Sequence, residues 1–185
     1  MLNNLEEHLE LFRRLPSLNA AVEEAAGLIA ATLSGGQKLM LCGNGGSAAD
    51  SQHMAAEFTG RFIKDRKPLA AMALSTDSSA LTCIGNDYSF DEVFSRQVVG
   101  LGRSGDCLLA ISTSGNSRNV IRAAEEARAA GMGTIGLLGR DGGALLGLCD
   151  VAIVVPSAVT ARIQEAHIFI GHTLCGLVEQ ALSVA

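Results

Sequence analysis

The stretch Leu39–Glu57, LMLCGNGGSAADSQHMAAE, places three kinds of chemistry side by side. A short apolar run ends in Cys42-Gly43-Asn44-Gly45-Gly46-Ser47, and a helical pattern starts at once. Glycines let backbone N–H groups face an anion, and a new helix N-terminus adds the positive end of its dipole. His53 and Glu57 follow at a spacing of four, so they project from one helical face as a pair able to bind a metal or move a proton. An anion cradle leading into such a pair points to chemistry on a small phosphorylated molecule.

A second loop has the same character. Ser112-Thr113-Ser114-Gly115-Asn116-Ser117 follows the apolar run DCLLAIS and opens a helix. Alone it reads as an ordinary capping loop. With a second glycine loop beside it, its four hydroxyls, its glycine and the helix N–H groups suit a phosphate. The last helical pattern carries Gln164, Glu165, His167 and His172. Gln164 and His172 are eight residues apart, about 12 Å along a helix and about 80° apart around it, so they reach one ion only at near full stretch. The alternative is that one of them is supplied by a neighbouring subunit. His53, Glu57, Gln164 and His172 together would make a nitrogen–oxygen site suited to zinc or a similar divalent ion. His167 reads as a core residue, His8 as inert on an exposed helix, and Gln52 as a polar neighbour. Arg61 is either a cation near the substrate or a solvated helix end.

The elements that must position these groups follow from apolar spacing. Leu2, Leu5, Leu9 and Phe12 predict an amphipathic helix ending near Pro16, and Ser17 is expected to cap a second helix through Ala20–Leu33. Short apolar strands are expected at 38–42, 69–74, 106–112, 134–138 and 150–155. Helices are expected at 47–62, 76–84 (broken by Gly85-Asn86-Asp87), 90–99, 119–130, 142–148 and 160–182. Continuously apolar strands alternating with helices predict an α/β domain with a five-stranded parallel sheet buried on both faces. Sites in such sheets lie at the carboxyl ends of the strands, where both loops fall. The chain reads as one domain, with residues 1–35 an N-terminal helical extension used in oligomerisation and 36–185 the sheet core and last helix.

The composition narrows the function. A net charge of −5 without a basic run argues against nucleic acid or membrane partners. No apolar run is long enough to span a bilayer, and the acidic, amphipathic start does not read as an export signal. The five cysteines are scattered singly, as in a chain with reduced thiols, so the expected location is cytoplasmic. Most read as core residues, with Cys42 as a reactive thiol the minority alternative.

Four segments, CGNGGSAADSQHMAAEFTGRF, IGNDYSFDEVFSRQV, LLAISTSGNSRNV and ARIQEAHIFIGH, resemble the sugar isomerase (SIS) domain family and, within it, the bacterial phosphoheptose isomerases. The resemblance covers nearly the whole chain. It implies a flavodoxin-like three-layer fold, a homotetramer with sites between subunits, and isomerisation of sedoheptulose 7-phosphate through an enediol for surface-polysaccharide heptose synthesis. It also implies that Asn44, Gly45, Gly46, Asn86 and Asp87 contact the sugar phosphate, with Ser47 and Gln164 beside them. Ser112, Thr113, Ser114 and Ser117 match the phosphate loop. His53, Glu57, Gln164 and His172 match the zinc ligands, and Glu57 and His172 the acid–base pair. Ala161 replaces an acid found in some relatives. The alternative is a non-catalytic SIS protein that binds sugar phosphates as a regulator or associates with the DnaA initiator. Glu57, retained with the other ligands, favours the enzyme.

Overall fold

The computed structural model describes residues 1–182, and the last three positions of the expected 36–185 unit lie outside them. Five strands, β1 (Leu39–Cys42), β2 (Ala71–Ala73), β3 (Cys107–Ser112), β4 (Gly133–Gly139) and β5 (Val151–Val155), form one sheet in the order β2-β1-β3-β4-β5. Every pairing is parallel, with Leu41 opposite Leu109 and Ile111 opposite Leu137. Seven α-helices surround it: α1 (Leu2–Arg14), α2 (Asn19–Ser34), α3 (Gly46–Thr59), α4 (Ser78–Asp87), α5 (Ser95–Leu101), α6 (Arg118–Ala129) and α7 (Thr160–Ala181).

Strand alternation divides the core into two layers. Leu39, Leu41, Leu109, Ile111, Ile135, Leu137 and Ile153 point to α2, α3 and α7, where Ile29, Met54, Phe58, Ile163 and Leu174 meet them. Met40, Cys42, Leu108, Ala110 and Leu138 point the other way, to Val98 of α5 and Val120, Ala123, Ala124 and Ala127 of α6. Both faces are covered, so strands with no polar alternation are what the packing requires. The strand order reverses between β1 and β3, so the loops following these two strands flank the topological switch point.

Several boundaries differ from the sequence reading. Ser17 does not cap α2. Residues 15–18 form a 3₁₀ turn, and the Ser17 hydroxyl donates to the Arg14 carbonyl. Gly85 does not break α4, which starts on an Asp77 cap accepting from the Ala80 N–H and runs to Asp87. The expected 90–99 helix is split into a 3₁₀ turn at Phe90–Glu92 and α5, with the Ser95 hydroxyl donating to the Glu92 carboxylate at 2.6 Å across the break. α3 stops at Thr59, not Phe62, because Arg66 takes its last carbonyls. The N-terminal pair is more than an appendage: Ala25, Ala26, Ile29 and Leu33 of α2 belong to the main core. Small alanines on that face let α2 lie close over β5 and α7. α1 alone keeps an open apolar edge, with Leu2, Leu5 and Leu9 exposed. None of the described helices is long and apolar enough to cross a membrane.

Candidate active site

The glycine loop leaves β1 and turns into α3 through Gly45, whose φ of 56° and ψ of −120° suit glycine. The Ser47 N–H donates to the Asn44 carbonyl, and the Ala48 and Ala49 N–H groups to that of Gly45. Ser47 is buried below, and any side chain at Gly43 would collide with it. With glycine as its N-cap, α3 presents first-turn N–H groups that no side chain caps.

The second loop behaves alike for a different reason. Ser117 is the N-cap of α6, yet its hydroxyl makes no capping bond. It pairs at 3.0 Å with the hydroxyl of Ser112, the last residue of β3. The α6 N-terminus is therefore also open toward an anion. Gly115 has φ of 65° and lies so close to the Gly142 carbonyl that a methyl group there would meet it. The Ser114 hydroxyl accepts from the Asn116 N–H, and Thr113 lies half-buried beside it.

Asn119, which the sequence reading passed over, joins the two loops. Its side chain is buried and exchanges two amide hydrogen bonds with Asn44, each 2.8 Å. A polar residue at the second position of a helix carries no sequence signal for this, because the partner lies 75 positions away.

The metal-type residues converge within one chain. The Nε2 atoms of His53 on α3 and His172 on α7 face each other at 2.9 Å, one donating and the other accepting. Glu57 Oε1 is 3.4 Å from His53 Nε2, and donor atoms of all three residues lie within 4.8 Å of one another. Two imidazole nitrogens and one carboxylate oxygen, partly open to solvent, form a donor set that fits a divalent ion with a position left for substrate. His172 therefore need not come from a neighbour. The Phe62 ring stacks on it with centroids 5.6 Å apart. The Gln164 amide lies against Gly46 at the start of α3. Asp50, also missed, lies one turn before His53, with one carboxylate oxygen buried and unpartnered among the described residues. Burial pushes its pKa up, and His53 nearby partly offsets that.

Asn86 and Asp87 occupy the exposed end of α4, where the Asn86 amide donates to Asp87 at 2.8 Å. His167 is a core residue, its Nε2 3.0 Å from the Leu138 carbonyl. His8 is not inert: Nδ1 pairs with Glu165 at 2.8 Å, and its ring stacks on Phe12. Ala161 is exposed, and neighbouring Arg162 pairs with Glu165 at 2.6 Å. Burial lifts the Cys42 thiol to about 12, so it is not a nucleophile.

Known proteins share this fold. The SIS domain family model matches residues 5–139. The phosphoheptose isomerase of Rhodospirillum rubrum is 56% identical over 173 residues, covering 94% of this chain and 92% of that one. Among solved structures, the phosphoheptose isomerase of Neisseria gonorrhoeae aligns with a TM-score of 0.92 at 47% identity, over 97% of this chain and 96% of that one. That of Francisella tularensis aligns at 0.93 and 37% identity, over 96% and 95%. The parallel sheet, the two open loops at its switch point and these relatives agree: the chain belongs to the SIS domain family and, within it, to the phosphoheptose isomerases.

Proposed function

We propose that the chain interconverts sedoheptulose 7-phosphate and D-glycero-D-manno-heptose 7-phosphate. The carrying observation is that His53, Glu57 and His172 converge in a chain whose strand ends hold two open anion loops. The Glu57 carboxylate removes the proton from C1 of the ketose and returns it to C2. His172 delivers a proton to the C2 oxygen as the enediol forms, and takes one from the C1 hydroxyl as it collapses. Atoms balance without a redox partner. Ser112, Thr113, Ser114 and Ser117 hold the phosphate with the α6 N-terminus. Asn44, Gly45 and Gly46 present the other N–H groups with Ser47 beside them, Gln164 meets the substrate at Gly46, and Asn86 and Asp87 contact the sugar. Phosphate binding remote from the reacting carbons holds them in place.

His53, Glu57 and His172, with Gln164 as a fourth ligand, would hold zinc. A bound divalent ion polarises the substrate carbonyl and favours the enediolate. In this reading the protein is a cytoplasmic homotetramer whose product feeds heptose synthesis for surface polysaccharide. The exposed apolar edge of α1 supports the assembly.

The test uses purified protein, sedoheptulose 7-phosphate and heavy water. Wild type is expected to place solvent deuterium at carbon, and Glu57→Gln and His172→Gln to place none. A wild type inert with added zinc overturns the reading in favour of a sugar-phosphate-binding module. Elemental analysis without chelator is expected to give about one zinc per chain at such a site.

A further inference from the structure

A buried ion pair lies directly behind the cluster. The side chains of Arg66 and Glu179 are 1% and 4% exposed, and Arg66 Nε donates to Glu179 Oε1 at 2.7 Å. Taking two charges out of water is costly, so such a pair needs every remaining donor and acceptor engaged. Here the partners are unusual. Arg66 reaches back to the end of α3, donating from Nη2 to the Glu57 carbonyl at 2.7 Å and from Nη1 to the Phe58 carbonyl at 2.8 Å. These belong to the last turn of α3, whose carbonyls lack intrahelical donors, and a cation there also complements the dipole. Glu179 collects the N–H groups of Phe62, Ile63 and Lys64 at 3.1, 3.3 and 3.4 Å. Burial would raise this carboxyl, but the Phe62 N–H, Arg66 and the other two N–H groups outweigh it and hold it below the usual range.

The geometry relates the pair to the reacting groups. Glu179 is seven residues beyond His172, two turns along the same face of α7. Between them lies Gly176, against which the edge of the Phe62 ring packs. Phe62, its N–H held by Glu179, lays that ring on His172. Arg66 meanwhile holds the backbone of Glu57 itself. One segment, residues 60–67, thus fastens the residue bearing the carboxylate on α3 and the ring that backs the imidazole on α7.

We propose that Arg66 and Glu179 are positioning residues that set the approach of Glu57 to His172 through the 60–67 segment. This rests on the isomerase reading for its kinetic consequence, but not for its structural one. Lysine keeps the charge of Arg66 but lacks the planar fork that serves a carboxylate and two carbonyls at once. Loss of that fork lets α3 and α7 shift, and a displacement of about 1 Å costs on the order of 100-fold in rate.

The experiment compares wild type, Arg66→Lys, Glu179→Gln and the apolar double variant Arg66→Met/Glu179→Leu. Kinetics with sedoheptulose 7-phosphate are measured, and NMR records the ring-current shift of Phe62 on the His172 ring protons, well below each Tm. The expected result is a kcat lowered by about 10-fold or more with KM little changed, and a moved His172 signal in each variant. The double variant is informative because well-packed apolar replacements of a buried pair keep or raise stability. A double variant with near wild-type Tm, depressed kcat and a displaced His172 signal supports positioning. Wild-type kcat and an unmoved His172 signal in it would overturn the proposal and leave the pair a stability device. Should the double variant not fold, an unmoved His172 signal in Arg66→Lys overturns it equally. An inert wild type would sink the isomerase reading alone, because the NMR shift is read without turnover.

Discussion

His167 is the histidine enclosed completely, and its Nε2 donates to the Leu138 carbonyl. Burial pushes its pKa down to about 4, with the hydrogen bond to Leu138 a smaller opposing influence. The unfolded chain takes up this proton near pH 6.5 and the folded chain only near 4, so stability is full above 6.5 and is lost as pH falls toward 4. The loss over that window is on the order of 3 kcal/mol. Denaturant melts of wild type are expected to weaken between pH 6.5 and 4.5, and His167→Gln, which keeps a donor, to flatten that slope. Equal slopes would remove His167 as the cause. Burial also decides the thiols. Cys42, Cys107 and Cys175 are all lifted to about 12, whereas Cys83 is exposed beside Asp87. Native alkylation at pH 8, read by mass spectrometry, should mark Cys83 first and leave Cys42 unmodified until the protein is unfolded.

Two strand-to-helix connections do the work that no single element performs. Each opens a helix N-terminus, one through a glycine cap and one through a serine whose hydroxyl is engaged elsewhere. The Asn44–Asn119 exchange ties them into one cradle. Asn119→Asp keeps the shape but replaces a donor with a negative charge beside the proposed phosphate loop. KM for the sugar phosphate is expected to rise by about 10-fold, the size of losing one charge-assisted contact, with kcat changed far less. A KM equal to wild type would separate Asn119 from the cradle. Gly115→Ala meets a backbone carbonyl and a positive φ together, so a loss of about 2 kcal/mol or more is expected. Thermal melts of the purified variant measure it.

At the scale of the molecule, one face of α1 is left over. Leu11 is buried against the core, while Leu2, Leu5 and Leu9 form an exposed stripe and Phe169 of α7 lies half-exposed near Phe12. Apolar residues at this spacing on a helix that is otherwise charged suit a second copy of the chain. Leu5→Glu/Leu9→Glu is expected to shift sedimentation to a smaller species while the far-ultraviolet dichroism of the sheet and core helices persists. An unchanged sedimentation coefficient would clear α1 of any part in assembly.

Five apolar runs, each closed by small or polar residues, carried the α/β class and the parallel sheet, because strands covered on both faces need no alternation. Glycine and hydroxyl patterns marked the two strand-to-helix turns whose helix N-termini carry no side-chain cap, because such tight turns tolerate few other residues. Spacing of four put His53 and Glu57 on one face before any fold was known. What stayed hidden depended on partners far along the chain. Spacing left open whether His172 comes from the same subunit, and the packing of α3 on α7 brings its ring beside His53 and Glu57 within one chain. Asn119, Arg66 and Glu179 act on partners up to 117 positions away. The end of α3 at Thr59 is likewise set by an arginine seven residues later, folded back by a carboxylate on α7. Local chemistry is written in neighbouring residues, whereas convergence and desolvation exist only once distant helices share a core.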